Sequence, residues 1–338
     1  MQAVTTPQLN TTDLEQKVKN MYREVALHPH EKYHFEMGRI LAEKLGYDPR
    51  ELDKIPQEAI ESFAGVGYFF DYAAIKEGEK VLDLGSGSGM DSFLASLKTG
   101  KTGSVTGVDM TDEQLEKAGR LRNQYGFENS SFHKAYIENL PFDDASFDVV
   151  ISNGVINLSP DKSKVFKEIS RVLKPGGRLA IADIVSEKNL PDNVVCDSTL
   201  WASCIGGASQ QDEYGNAIKN AGLTIIAVVN NDSYTFISSS AQSASKKYGV
   251  KSVSLLTEKK IQVNASLFVP GLACANLTPA IKKEMQNIQA GQILEVISDD
   301  SASREGVPAW CRLTGNKLLQ EQILNGDKTA FYIQKKTN

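Results

Sequence analysis

The chain has 338 residues, 41% of them hydrophobic and 23% charged, with a net charge of −5. This is the composition of an ordinary soluble globular protein with room for two or three domains. It excludes a disordered or fibrous chain, and the acidic balance gives no general attraction to nucleic acid or to an anionic membrane. No apolar run approaches the roughly 18 residues of a spanning helix, and Met1 to Asn10 lack the basic and apolar regions of a signal peptide, so a cytoplasmic location is expected. The four cysteines, Cys196, Cys204, Cys274 and Cys311, all fall in the C-terminal half. In a reducing compartment they are expected as reduced thiols, ligands or core residues rather than as disulfides.

Residues 1–12 are polar and expected to fray. Residues 13–75 carry apolar positions at helical spacing, such as Val18, Met21 and Val25, punctuated by Pro56, Gly65 and Gly67, and form a predicted N-terminal helical region, 1–75. From 76 onward β-rich runs alternate with helical ones. The predicted strands are Lys80–Leu84, Ser104–Asp109, Ser131–Ala135, Phe147–Ser152 and Gly177–Asp183. A helix over Asp91–Lys98 follows the first strand, Thr111 is the predicted N-cap of the next, and a third helix over Asp161–Leu173 stops at Lys174-Pro175-Gly176-Gly177. This alternation predicts an α/β fold with a doubly wound, Rossmann-like parallel sheet over 76–257. Further strands are expected at Thr224–Val229 and Tyr248–Leu256. Glu258-Lys259-Lys260 is the expected linker to a small α+β domain at 262–338, with segments at Gln262–Leu267, Thr278–Met285, Ile293–Ser298, Ser303–Thr314 and Thr329–Gln334.

The most informative stretch is Val81-Leu82-Asp83-Leu84-Gly85-Ser86-Gly87-Ser88-Gly89. A buried strand carrying one acid runs into glycines that let the backbone turn sharply and approach a ligand. The spacing is G-x-G-x-G rather than the G-x-G-x-x-G of dinucleotide sites. A second strand ends in Asp109, placed to accept hydrogen bonds from both hydroxyls of a ribose. No Lys or Arg lies between Gly85 and Asp91, and a phosphate ligand would want cations and amides. The pattern favours a nucleoside ligand without phosphates and with a positive centre, which S-adenosylmethionine fits.

The order Asp83-x-Gly-x-Gly-x-Gly, Asp109, Ile151-Ser152-Asn153 and Lys174-Pro175-Gly176-Gly177 resembles the class I S-adenosylmethionine-dependent methyltransferases. Within that class the chain resembles the arsenite methyltransferase family over roughly residues 60–256. The carrying stretches are Gly85-Ser86-Gly87-Ser88-Gly89-Met90-Asp91, Ile137-Glu138-Asn139-Leu140, Ser152-Asn153-Gly154-Val155-Ile156-Asn157-Leu158 and Leu200-Trp201-Ala202-Ser203-Cys204-Ile205-Gly206-Gly207-Ala208. The resemblance implies that Asp83, Gly85, Gly87 and Gly89 shape the methionine pocket. It also implies that Asp109 holds the ribose, Met110 packs on adenine, Ile137 and Glu138 line the adenine edge, and Asn153 faces the methionine end. It further implies a small-molecule or metalloid acceptor and a cellular thiol reductant such as thioredoxin or glutathione.

In that family thiolates hold trivalent arsenic, a soft centre. Cys204 matches a family cysteine and is the expected arsenic ligand. Ser92 stands where the family often has a cysteine, and the strand Gly249-Val250-Lys251-Ser252-Val253 lacks a later one. On a continuous helix Cys196 and Cys204 would lie about 12 Å apart along the axis, too far to chelate one atom unless the helix breaks between them. Other soft acceptors (selenium, another metalloid, a small organic thiol) and a non-catalytic sulfur relay therefore remain alternatives. Residues 262–338 resemble the TusA sulfur-carrier fold through Gly271-Leu272-Ala273-Cys274, Gly291–Asp300 and Val307-Pro308-Ala309-Trp310-Cys311. The Cys-Pro-x-Pro start of that family is replaced by Cys274-Ala275-Asn276-Leu277. Cys274 is a candidate second thiol for the acceptor, and Cys311 a core residue. His28, His30 and His34 with Glu31 and Glu36 match no common ligand spacing and are expected on a solvated helix face.

Overall fold

The computed structural model describes residues 9–197, 200–201, 205–272, 274–324 and 328–337. The chain divides into two compact units, residues 1–259 and 260–338. Among the described residues of the first unit five helices come before any strand: α1 (Thr11–Leu27), α2 (Gly38–Leu45), α3 (Pro49–Leu52), α4 (Gln57–Glu61) and α5 (Phe70–Ala73). The expected frayed start is partly overturned: Asn10 caps α1, accepting from the Asp13 amide at 3.1 Å, so the helix begins at Thr11. The histidine segment is not on a helix face either. His28 is the C-cap of α1 and residues 29–37 form an irregular loop.

An alternating series follows: β1 (Lys80–Leu84), α6 (Met90–Thr99), β2 (Ser104–Asp109), α7 (Asp112–Tyr125), β3 (Ser130–Lys134), β4 (Phe147–Asn153), α8 (Lys162–Val172) and β5 (Leu173–Ser186). After β5 come β6 (Ser209–Gln210), β7 (Leu223–Asn230) and β8 (Lys251–Lys259), with helices Gln211–Asn220 and Ser239–Tyr248 between them. The sheet order is β3-β2-β1-β4-β5-β8-β7, with β6 paired to β5. The first five strands in that order are parallel, and β8 is antiparallel to both β5 and β7. Both faces are covered, so the parallel strands read as near-continuous apolar runs. Val81, Val149, Ile151 and Ala180 face one core with Phe93 and the N-terminal helices; Leu82, Leu84, Val150 and Leu179 face the other with Phe166 and Ile169.

Three sequence expectations shift. The helix before β5 does stop, at Val172, but Lys174-Pro175-Gly176-Gly177 lies inside the strand, where the β4 register slips between Phe147 and Val149. Tyr248 ends a helix, and the strand predicted from it begins at Lys251. Glu258 and Lys259 are not linker but the last rungs of β8, paired with Arg178 and with Thr224 and Leu223.

The second unit holds a four-stranded sheet in the order β11-β12-β10-β9, built from β9 (Ala265–Phe268), β10 (Ile293–Ser298), β11 (Lys317–Ile323) and β12 (Thr329–Gln334). Helices Cys274–Asn287 and Ser303–Thr314 supply Leu277, Ile281, Val307 and Cys311 to its core against Leu294, Val296, Phe331 and Ile333.

Candidate active site

The reversal of strand order between β1 and β4 opens a crevice at their carboxyl ends, where ligands of doubly wound sheets bind. A cavity of about 530 Å³ lies there, within the range of small-molecule sites. Its floor is the loop from β1. Gly85 and Gly87 adopt φ of +69° and +52°, conformations that L side chains rarely take. A Cβ on Gly85 would sit 2.3 Å from the Val155 side chain, so the glycine is required for close approach as well as for the turn. The amides of Gly85 and Ser86 both donate to the Val108 carbonyl, at 2.8 and 2.9 Å, which fixes the loop over β2.

The structure brings together Asp83, Gly85, Gly87, Asp109, Met110, Ile137, Glu138 and Asn153 around this one cavity. Gly89 is not among its lining residues. It is the N-cap of α6 at φ +96°, where a Cβ would meet Phe93 at 2.9 Å and Phe132 at 3.0 Å. Its part is to turn the loop into the helix.

Asp109 accepts the Gly87 amide on one oxygen at 3.0 Å and the Thr111 amide on the other at 2.9 Å, which aims the carboxylate and leaves further lone pairs for a ligand. Burial raises its pKa, and those amides oppose the rise. Thr111 does occupy the N-cap of α7, but its side chain makes no cap bond. Met110 packs with Leu14, Val18 and Trp201. Glu138 accepts the Ser159 hydroxyl at 2.5 Å.

Asn153 is committed to the protein. Its oxygen accepts the Val66 amide at 2.8 Å; its nitrogen donates to the Gly67 carbonyl and the Tyr47 hydroxyl at 3.0 Å and to Asp91 at 3.1 Å. It ties the loop after α4 to the end of β4. Asp91 accepts Asn153 on one oxygen and the Tyr47 hydroxyl, at 2.7 Å, on the other. Burial lifts its carboxyl to about 6, against the pull of those two donors. Asp83, 3% exposed, accepts the Ser92 hydroxyl at 2.6 Å. Burial, and then the nearby Asp91 charge, push it up to about 8 against that hydrogen bond. Ser92 therefore belongs to the cofactor side of the site, as a buried donor to Asp83.

The charge balance of the wall is one-sided. Among the described residues Glu15, Asp83, Asp91, Asp109, Glu138 and Asp161 line the cavity against Lys164 alone. A dinucleotide or other phosphate ligand does not suit such a wall; a nucleoside with a cationic tail does. The residues present thus fit S-adenosylmethionine.

Sequence reasoning missed the opposite wall. Helix α1 contributes Leu14, Glu15, Val18 and Tyr22 to the cavity. Buried Gln114 joins it to the glycine loop, accepting the Ser88 hydroxyl at 2.6 Å and donating to the Tyr22 carbonyl at 2.8 Å. Lys117 donates to the Ala26 carbonyl at 3.1 Å, and Arg23 pairs with Glu113 at 3.1 Å. The only advance signal was the amphipathic spacing of α1.

Of the candidate thiols, Cys204 lies outside the described residues. Cys196 is half-buried at the C-cap of the short helix Asp192–Val195, so that helix ends at Cys196 and the spacing of a continuous helix does not apply. Cys274 opens a helix of the second unit. Cys311 is 2% exposed and burial pushes its thiol up to about 11, as a core cysteine requires. Among the described residues no group of three His, Cys, Asp or Glu could hold a metal ion, and no helix is long and apolar enough to cross a membrane.

Two family models match the chain: a methyltransferase domain over residues 75–222 and the sulfurtransferase TusA over 269–335. Two curated arsenite methyltransferases are similar, from Halobacterium salinarum (41% identical over 198 residues, 58% of this chain and 50% of that one) and Aquipseudomonas alcaligenes (44% over 158 residues, 45% and 46%). The crystal structure of an arsenic(III) S-adenosylmethionine methyltransferase from Chlamydomonas reinhardtii superposes with a TM-score of 0.53 at 32% identity, covering 62% of this chain and 72% of that one. The fold and the acidic, glycine-turned cavity define a class I S-adenosylmethionine-dependent methyltransferase carrying a TusA domain. Within that class the chain belongs to the arsenite methyltransferase family. It spans about half the length of the curated relatives it matches.

Proposed function

We propose that this chain methylates trivalent arsenic, presented as arsenite, with S-adenosylmethionine as donor. The identity of 41–44% with curated arsenite methyltransferases carries the choice of acceptor. When bound, the donor supplies the electrophilic methyl group of its sulfonium. Asp109 would accept the ribose hydroxyls, Met110, Ile137 and Glu138 would surround the base, and Asp83 and Asp91 would face the cationic tail. Gly85 and Gly87 let the backbone approach that tail, with Gly89 turning the chain into α6. Asn153 acts by holding the loop at Val66 and Gly67 in place. Ala59, Phe63, Ala64 and Leu158 line the rest of the cavity and keep water from the reacting atoms.

We assign Cys204 as a thiolate ligand of the arsenic, with Cys196 and Cys274 as its candidate partners. An arsenic lone pair attacks carbon directly, so the step needs no general base, and positioning supplies much of the rate. The attack leaves arsenic formally pentavalent; a thiol reductant such as thioredoxin or glutathione would return it to the trivalent state. In this reading the helices before residue 76 cover the site, 76–257 carry donor and acceptor, and 262–338 is a separate thiol-bearing unit, all in the cytoplasm.

The test is arsenite-dependent formation of S-adenosylhomocysteine by the full chain, alongside the Cys204→Ser, Cys196→Ser and Cys274→Ser variants. Turnover with arsenite is expected, falling by about a hundredfold or more in Cys204→Ser while donor binding persists. No arsenite-dependent turnover in the unaltered chain overturns the reading. A second reading, with selenium, another metalloid or a small thiol as acceptor, or a non-catalytic sulfur relay, is favoured by Ser92. A buried hydroxyl bound to Asp83 cannot serve as a soft ligand. Selenite and small thiols in the same assay separate these.

A further inference from the structure

Three buried carboxylates line the strand-end wall, Asp83 and Asp91 at the methionine end and Asp109 at the ribose, and their hydrogen bonds differ. Asp109 accepts a backbone amide on each oxygen, and Asp91 accepts a donor on each of its own. Both are arranged as ionised groups are. Among the described residues Asp83 accepts only the Ser92 hydroxyl, on one oxygen, and no protein group donates to the other, in a side chain 3% exposed that lines the cavity. The groups acting on Asp83 are anionic: Asp91 from α6 and Asp109 from the end of β2. Tyr47, from the loop after α2, is neutral, its hydroxyl held by Asp91 and its pKa raised by burial. Lys164, from α8, is the one cation among the described residues of the cavity wall, and Asp83 makes no ion pair with it.

A buried carboxylate beside two others, with no cation to answer it, holds a proton until a positive charge arrives. We infer that Asp83 discriminates donor from product by charge: protonated in the empty cavity, it loses its proton when a sulfonium ligand binds and regains it when the neutral thioether replaces that ligand. The inference rests on the donor assignment above. On binding, the O–H bond of the Asp83 carboxyl breaks and the proton passes to solvent; the carboxylate left behind balances the sulfonium. The methyl transfer removes that positive charge, so product leaves a site that again favours the protonated acid.

The sign follows from the raised acid. Below about pH 8, where Asp83 is protonated in the empty chain, sulfonium binding must displace a proton, so affinity rises with pH; above it the dependence ends. The experiment titrates the dissociation constants of S-adenosylmethionine and S-adenosylhomocysteine against the full chain from pH 6 to 9, with calorimetry in two buffers of different protonation enthalpy. The ligands' own titrations are subtracted. S-adenosylmethionine is expected to tighten by up to about tenfold per pH unit and level off near pH 8, and S-adenosylhomocysteine, which keeps the ammonium but lacks the sulfonium charge, to show a clearly shallower slope. Asp83→Asn should remove the slope and narrow the preference. Ser92→Ala removes the donor that favours the ionised form, and should move the bend to higher pH; it decides the matter if Asp83→Asn does not fold. Parallel profiles for the two ligands, or an unmoved bend in Ser92→Ala, overturn the inference. Failure of either ligand to bind overturns the donor assignment instead.

Discussion

The two walls of the cavity are built on different principles. The strand-end wall is backbone: glycines at positive φ, amides that aim Asp109, and a loop bonded to the Val108 carbonyl. The helical wall is side chain: Leu14, Val18 and Tyr22 from α1, a helix held over the site by Gln114, Lys117 and Arg23. The first has few adjustable parts, because each glycine is excluded from substitution by its own conformation or by a neighbour. The second can be retuned one residue at a time.

The sharpest way to break the contrast is Gly85→Ala. The methyl must accept φ +69°, at about 1–2 kcal/mol, and displace Val155, which its Cβ approaches to 2.3 Å. Donor affinity should fall by about a hundredfold or more and the melting temperature should drop; calorimetry with Gly85→Ala and with Gly85→Ala/Val155→Ala checks this, the second change restoring part of the loss. An unaltered affinity in Gly85→Ala would mean that the loop moves freely. Gln114→Ala is a smaller disturbance. It strands the Ser88 hydroxyl, at about 1–3 kcal/mol, and removes the bond from Gln114 to the Tyr22 carbonyl, so it should speed amide exchange in α1 while weakening donor binding by less than about tenfold. If exchange in α1 is unchanged, Gln114 does not couple the walls. Smallest is Lys19→Ala. Lys19 bonds Glu15 at 2.6 Å and Tyr136 at 2.7 Å across the mouth, but its side chain is 25% exposed and that of Glu15 43%, so thermal unfolding should move by no more than about 1 kcal/mol. A larger shift would show that α1 hangs on this contact.

Legibility in the sequence followed the same division. Strands Lys80–Leu84, Ser104–Asp109, Ile293–Ser298 and Thr329–Gln334 have the expected bounds, because buried strands between turn residues are bounded by local chemistry. Asp83, Gly85, Gly87 and Asp109 were visible because their spacing is set by one βαβ unit. Lys174-Pro175-Gly176-Gly177 misled: those residues end a helix, but nothing local reveals that the chain then pairs at once with β4. Strand Lys317–Ile323 went unread because four of its residues are polar and it lies at the sheet edge. Gln114 and Tyr47 were invisible for another reason. Their partners lie far off in sequence, 92 residues for Gln114 and Tyr22, 44 for Tyr47 and Asp91, and no periodicity encodes such contacts.

The ending of β8 has a mechanical consequence. Lys259, the last residue of the first unit, sits on a strand flanked by β5 and β7, not on an edge. Tension drawn through residue 260 would therefore be shared by ladders on both sides of β8, where an edge strand would peel from one. Thermal or applied-force fraying of the junction should start at the rungs of Glu258 and Lys259 and meet rising resistance as it runs back toward Lys251.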